Sequence, residues 1–278
     1  MRNNTKITIA VLAAGALTLG LSACGSGSTS AKADTGSALV VGATAVPAGE
    51  VLDYIKENLA DDAGLDLEIK EFTDYVLPNT ALQEGQLDAN LYQNVPYLEN
   101  FNKTQGTDLV AVADAYLPPM GVYSRKTEDI AALPDGATVA VPNETTNEGR
   151  ALKLLAASGL IELRKDAGVT ASPADITSNP KNIEFKELEP AQLPRSLEDV
   201  DAAVINSNYA LDAGLSPRND SVLLESVKDN PYTNVLAVKK GNEDDTRVRK
   251  LVELLTSDEV KNFIEQKYKG SVLPVDPS

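Results

Sequence analysis

The chain of 278 residues contains a single cysteine, Cys24, and no histidine. Those two facts constrain its fold more than any other feature. A lone thiol forms no disulfide within the chain, so no covalent staple is available. Zinc sites built from Cys and His are excluded, as are Ser-His-Asp and Cys-His catalysis. The fold must be held without a disulfide or a Cys/His metal site. With 42% hydrophobic and 24% charged residues, the composition is that of an ordinary globular chain. Residues 24–278 suffice for one large core or two modest ones.

Cys24 closes an N-terminal export signal. Arg2 and Lys6 give a positive start, Ile7 to Gly20 carry no charge, and Leu21-Ser22-Ala23-Cys24 follows. The apolar run is shorter than the ~20 residues that cross a bilayer, and it ends in small residues, as a cleaved signal does. Leu-Ser-Ala-Cys resembles the lipobox of bacterial lipoproteins. That resemblance implies a signal peptide over residues 1–23 and a diacylated (palmitate-type) anchor on Cys24. Residues 24–38 are small and polar, beginning Cys-Gly-Ser-Gly-Ser, and read as a flexible tether with a reach of roughly 20 Å.

Folded sequence is expected from Leu39. Leu39–Ala43, Leu109–Val112, Val139–Val141, Ala202–Ile205 and Val235–Val238 are continuous apolar runs, as in a mostly parallel sheet covered on both faces. Leu67–Lys70 and Ile183–Lys186 alternate instead, like strands nearer an edge. Helical stripes lie between them: Val51, Leu52, Ile55 and Leu59; Ala151, Leu152, Leu154 and Leu155, with Gly159 to end that helix; Val248, Leu251, Val252 and Leu255; and Val260, Phe263 and Ile264, with Tyr268 behind. Alternating strands and helices argue for an α/β protein. The number of strands fits two lobes, with breaks at Pro118-Pro119 and Asn230-Pro231. The expected division is 39–118 plus 231–278 for lobe 1 and 119–230 for lobe 2.

A net charge of −16 repels phosphate backbones, so nucleic-acid binding is not expected. The acidic run Glu243-Asp244-Asp245 lacks the spaced ligands and glycine of a calcium loop and reads as a solvated loop. No cofactor and no metal are expected.

Several segments can carry binding chemistry. Val139 to Arg150 reads Val-Ala-Val-Pro-Asn-Glu-Thr-Thr-Asn-Glu-Gly-Arg, a strand end followed by a helix start, with Thr145 and Glu148 spaced as a capping box. Ligands gather at the carboxyl ends of strands in open α/β sheets. Arg150 there is either a carboxylate clamp or a solvated helix residue. Tyr75, in Phe72-Thr-Asp-Tyr-Val-Leu-Pro-Asn79, either walls a pocket or belongs to the core. Tyr92 and Asn94 lie in Asp88-Ala-Asn-Leu-Tyr-Gln-Asn-Val-Pro-Tyr-Leu98. Asn206 follows the run Ala203-Val-Ile, where amides act as ligand donors or as turn formers. Asn234 lies in Pro231-Tyr-Thr-Asn234.

With Asn179-Pro-Lys-Asn182 and Leu188-Glu-Pro-Ala-Gln-Leu-Pro-Arg-Ser-Leu197, these stretches resemble the methionine-binding lipoprotein (NlpA) family, in order and spacing, over nearly all of the mature chain. That resemblance implies the two-lobed periplasmic-binding-protein fold (type II-like), with two crossover segments and a ligand cleft between lobes. It implies the substrate-binding subunit of an ABC importer, partnered by permease and ATPase subunits, capturing L-methionine or a close relative. The protein would be monomeric and lipid-anchored on the extracytoplasmic face of the cell membrane. By the same resemblance Arg150 would pair with the ligand's α-carboxylate, Asn206 and Asn234 would bond its carboxylate and amino groups, and Tyr75, Tyr92 and Asn94 would surround its side chain. Tyr116, on the first crossover, is a further candidate.

The chain departs from the family in reading Gln93-Asn94-Val95-Pro96-Tyr97 where a histidine usually follows the glutamine. An amide at that place suits a more polar or longer ligand, such as methionine sulfoxide or a methionine-containing peptide. Two other classes stand beside this reading. A surface lipoprotein with an adhesion role would have no ligand. An exported enzyme would need paired carboxylates or a lysine nucleophile; no spacing favours either, and the chain is read as a non-enzyme. If Cys24 supplies only position, Cys24→Ala leaves ligand affinity unchanged in calorimetry on the purified protein while uptake by cells falls. A loss of affinity would contradict the anchoring role.

Overall fold

The computed structural model describes residues 37–275. The leader, Cys24 and all but the last two residues of the tether lie outside them. Along the chain the strands are β1 (Leu39–Thr44), β2 (Leu67–Phe72), β3 (Ala89–Asn94), β4 (Leu109–Leu117), β5 (Gly121–Tyr123), β6 (Thr138–Pro142), β7 (Glu162–Leu163), β8 (Ile176–Ser178), β9 (Glu184–Leu188), β10 (Ala202–Ile205), β11 (Leu223–Leu224), β12 (Asn234–Lys239) and β13 (Leu273–Pro274). The helices are α1 (Glu50–Asn58), α2 (Leu77–Gln83), α3 (Val95–Gln105), α4 (Thr145–Ala157), α5 (Leu193–Ser196), α6 (Ser207–Asp212), α7 (Pro217–Asp220), α8 (Thr246–Leu255) and α9 (Asp258–Tyr268).

Among the described residues two large sheets form, giving the two-lobed α/β architecture. The first has the order β13-β4-β12-β3-β1-β2, the second β11-β5-β10-β6-β9. The alternating segments became β2 and β9, each an edge strand, because only one of their faces is buried. The continuous apolar runs became strands inside the sheets, covered on both sides except in the first half of β4, where Ala111 is exposed. In the first sheet, Leu39, Val41, Ala43, Leu236 and Val238 pack with α1, α8 and α9, whereas Tyr92 and Ala237 turn to α2 and α3. In the second, Val139, Val141, Ala202 and Val204 pack against α4, while Ala140, Ala203 and Ile205 face α5 and α6. This is the period-2 alternation of a pleated strand with both faces in use.

The expectation of mostly parallel sheets needs correction. β1 runs parallel to β2 and β3, and β6 to β9 and β10. But β12 is antiparallel to both of its neighbours, β3 and β4, and β5 is antiparallel to β10 and β11. A strand buried on both faces is apolar whatever its direction, so the pattern does not report polarity. β12 enters from the return of the chain and fills the slot between β3 and β4. The acidic run also differs from a plain solvated loop at one position: Asp245 caps α8 by accepting from the Arg247 backbone N–H at 2.8 Å.

Helix α4 carries an unusual close approach. A Cβ on Gly149 would collide with the carbonyl of Val169 and lie 2.8 Å from the amide nitrogen of Ala171. In an open helix Gly→Ala stabilises by about 0.8–1.0 kcal/mol. Here the passing backbone reverses the sign. Gly149→Ala is expected to destabilise the protein by about 1–3 kcal/mol, read as a lower urea midpoint. A variant as stable as the native chain would show that the segment 169–171 yields freely.

Candidate functional site: a cleft between the two sheets

The carboxyl end of β3 sets the first wall. In the strand register Asn234 of β12 sits opposite Asn94 of β3 on one side and Tyr116 of β4 on the other. Three residues far apart in sequence therefore form one row. Asn94 caps α3, its Oδ1 accepting from the Tyr97 N–H at 3.0 Å. Its Nδ2 donates to no protein acceptor among the described residues. Asn234 Nδ2 donates to the Tyr92 carbonyl at 2.9 Å and to the Tyr116 hydroxyl at 3.3 Å. Tyr116 is fully buried behind Asn234 and does not line the cleft.

The second wall comes from the other sheet. Asn206 follows β10, and its Nδ2 donates to Asn147 Oδ1 of α4 at 2.8 Å. Its own Oδ1 is buried without a partner, a vacant acceptor of a kind that native structures rarely leave unused. Arg150 is 3% exposed. Its Nε and Nη2 donate to the two carboxylate oxygens of Glu225 at 2.8 and 2.6 Å, and Nη2 also reaches the Pro118 carbonyl at 3.0 Å. The Tyr232 ring lies 4.3 Å from its guanidinium carbon. Nη1 has no protein acceptor among the described residues. Burial pushes the Glu225 carboxyl up, but Arg150 and the Met120 N–H outweigh it and hold the group below the ordinary carboxylate range.

Tyrosines close the space between the walls. Tyr75 approaches Tyr92, Tyr97 and Tyr209, with ring centroids 6.0, 6.0 and 5.1 Å away. The Tyr92 and Tyr97 hydroxyls both donate to the Tyr75 carbonyl, at 2.8 and 2.6 Å. Tyr75 spans the cleft, donating to Asn208 Oδ1 at 2.5 Å, and Tyr209 returns a bond to the Thr73 carbonyl at 3.1 Å. Burial raises the Tyr75 and Tyr92 phenols well above their ordinary value, so both stay neutral donors. The cavity the walls leave is only about 30 Å³, space on the order of one or two waters, so the walls must part to admit a ligand. Among the described residues, Arg150 is the one charged side chain lining the cavity.

Six of the seven ligand-binding candidates thus line one cleft, and Tyr116 stands behind it. Reading the sequence missed Gln93, Tyr97, Asn147, Ser207 and Asn208 as lining residues, although all sit inside or beside the segments singled out. It also missed Glu225, for which no local signal exists. The capping expectation is corrected: Glu144, not Thr145, caps α4, accepting from the Thr146 and Asn147 N–H groups at 3.0 Å each. Glu148 is left buried, with Oε1 unpartnered.

That residue generates a pH prediction. Burial, then repulsion by Glu187 and Glu144, raises the Glu148 carboxyl to about 7. An acid with a raised folded-state pKa contributes stability below its unfolded value, and loses it as pH rises through the folded one. Glu148→Gln is therefore expected to raise the melting midpoint at pH 8, with the gain vanishing near pH 5, where the native carboxyl is already protonated. An equal gain at both values would contradict the assignment.

Comparison with known proteins places the chain in a family. The NlpA lipoprotein family profile matches residues 39–276. The methionine-binding lipoprotein MetQ of Bacillus subtilis is 42% identical over 262 residues, covering 92% of this chain and 93% of that one. A nutrient-binding protein from Burkholderia cenocepacia, solved bound to methionine, superposes with a TM-score of 0.82 at 45% identity, over 85% of this chain and 99% of that one. The periplasmic substrate-binding protein of an ABC transporter from Coxiella burnetii does so at 0.82 and 40%, over 85% and 100%. With a family profile matching residues 39–276 and a relative 42% identical over 92% of its length, the chain belongs to the NlpA lipoprotein family.

Proposed function

We propose that this protein is the membrane-anchored substrate-binding subunit of an ABC importer and that its cleft takes L-methionine. The observation that carries the reading is the free Nη1 edge of the buried Arg150 guanidinium, set in a cleft with the unpartnered Asn206 Oδ1 and a tyrosine wall. The Nη1 edge suits an α-carboxylate, Asn206 Oδ1 suits an ammonium donor, and each aromatic face in contact with a thioether contributes about 0.3–1.5 kcal/mol. Asn234 and Asn94 would complete the polar contacts, with Tyr75 and Tyr92 around the side chain. The relative bound to methionine supports the same ligand.

The lobes are proposed as 39–118 plus 231–278 and 119–230, in keeping with which strands each sheet recruits. The chain would cross between them near Pro118 and Asn230, and closure about those crossings would trap the ligand. The cleft is read as non-catalytic: Ser207 donates to the Pro119 carbonyl, and among the described residues no carboxylate or lysine lines the cleft beside it. Diacylated Cys24, on the extracytoplasmic face, would hold a monomer near its permease and ATPase. Two acyl chains anchor stably where one does not, and a short tether keeps the effective concentration high.

Native mass spectrometry of freshly purified protein tests the ligand. A bound mass equal to methionine is expected; methionine sulfoxide or a dipeptide would show instead that the Asn94 amide has shifted specificity. Arg150→Ala is expected to cost about 2–5 kcal/mol of binding, roughly 30- to 4,000-fold. A loss below threefold in calorimetry would remove Arg150 from the site.

A further inference from the structure

We infer that Glu225 is a specificity-determining residue: its buried charge makes the cleft require an ammonium-bearing, net-neutral ligand and reject the corresponding monoanion. This rests on the amino-acid-binding reading above. Arg150 is the one cation lining the cleft among the described residues, yet two of its donor nitrogens are already spent on a carboxylate of the protein itself. The Glu225 side chain is 11% exposed, and Oε2 also accepts from the Met120 N–H at 3.1 Å, so it cannot swing away without stranding that donor. An incoming ligand carboxylate must share the guanidinium with it. Two carboxylates against one guanidinium leave one negative charge in excess, in a space from which water is expelled.

An ammonium on the ligand removes that excess. A hydroxyl in its place does not, although it can still donate a hydrogen bond to the vacant Asn206 Oδ1. Hydrogen bonding alone therefore would not separate an amino acid from its 2-hydroxy analogue; the Glu225 charge would. On its outer side Glu225 shares a surface hollow with Lys153 and Lys228. Lys153 is half-buried and Lys228 exposed, so both keep water contact, are screened, and balance the buried carboxylate poorly. Placing an unpaired like charge against a ligand is a common route to discrimination.

The test is calorimetry at pH 7 with L-methionine and with its 2-hydroxy acid, which keeps the carboxylate and thioether, on native protein and on Glu225→Gln, with melting curves to confirm folding. Native protein is expected to favour methionine by about a hundredfold or more, and the Gln variant to narrow that ratio by about tenfold or more, chiefly by gaining affinity for the hydroxy acid. If both affinities fall together and the ratio holds, Glu225 is only structural and the inference is overturned. Glu225→Asp keeps the charge and should keep the ratio; an Asp variant that narrows it as Gln does also overturns the inference. Should Gln fail to fold, a native ratio below threefold is by itself decisive against it. If native protein binds neither compound, the amino-acid-binding reading fails, and this inference falls with it.

Discussion

The centre of this molecule is organised by the need to compensate one buried positive charge. An unpaired guanidinium taken out of water is penalised by several kcal/mol, and Arg150 is almost wholly enclosed. Glu225, the Pro118 carbonyl and the Tyr232 ring supply the compensation. These partners are not neighbours in sequence. Pro118 follows β4, where the chain leaves the first sheet, and Glu225 and Tyr232 lie on its way back. Met120 and Glu225 are joined twice more, the Glu225 N–H donating to the Met120 carbonyl at 2.9 Å and the Met120 N–H donating to the Glu225 carboxylate. One ion pair thus ties α4 to both passages of the chain between the sheets.

The walls that flank this pair are stiff for a related reason. Buried amides are tolerated only when bonded, and beneath the cleft they bond one another. Asn79 of α2 donates to Gln93 Oε1 at 2.8 Å and accepts from Asn90 and Gln93 of β3 at 2.8 and 2.7 Å. This closed set clamps α2 to β3 and so fixes where Tyr75 enters and where Asn94 ends the strand. A satisfied polar network of this kind specifies one geometry where apolar packing alone would permit several. Asn94, Arg150 and Asn206, which line the cleft, are thereby held in defined positions.

Much of the architecture was legible in the order of residues. Apolar runs identified β1, β4, β6, β10 and β12, alternation identified β2 and β9 as edges, and the 3.6-residue stripes located α1, α4, α8 and α9. β3 escaped, although every residue in it is buried, because Asn90, Gln93 and Asn94 make it look like a loop. Asn90 and Gln93 are explained by Asn79, which reaches them from another element, and Asn94 by the cap it gives α3. The cap of α4 was misassigned by one residue, because the Glu144 side chain itself reaches the Thr146 and Asn147 N–H groups. Five of the candidate residues converge on the cleft because their segments end or follow strands, where ligands meet sheets of this type, and Asn234 joins them because antiparallel β12 begins at that edge. Tyr116 lies one step further back because its side chain supports Asn234.

By itself, the sequence determined that no disulfide or Cys/His metal site holds this protein, that strands and helices alternate, and which short stretches carry polar residues at strand ends. These are properties of composition and of short-range periodicity, which survive without knowledge of any partner. Only the tertiary structure decided strand direction, the row of Asn94, Asn234 and Tyr116, and the pairing of Arg150 with Glu225, 75 residues away. A charge on Arg150 looks the same in sequence whether it faces water or a buried carboxylate. Its chemistry is set by what surrounds it, and that surrounding exists only once the return of the chain has closed against α4.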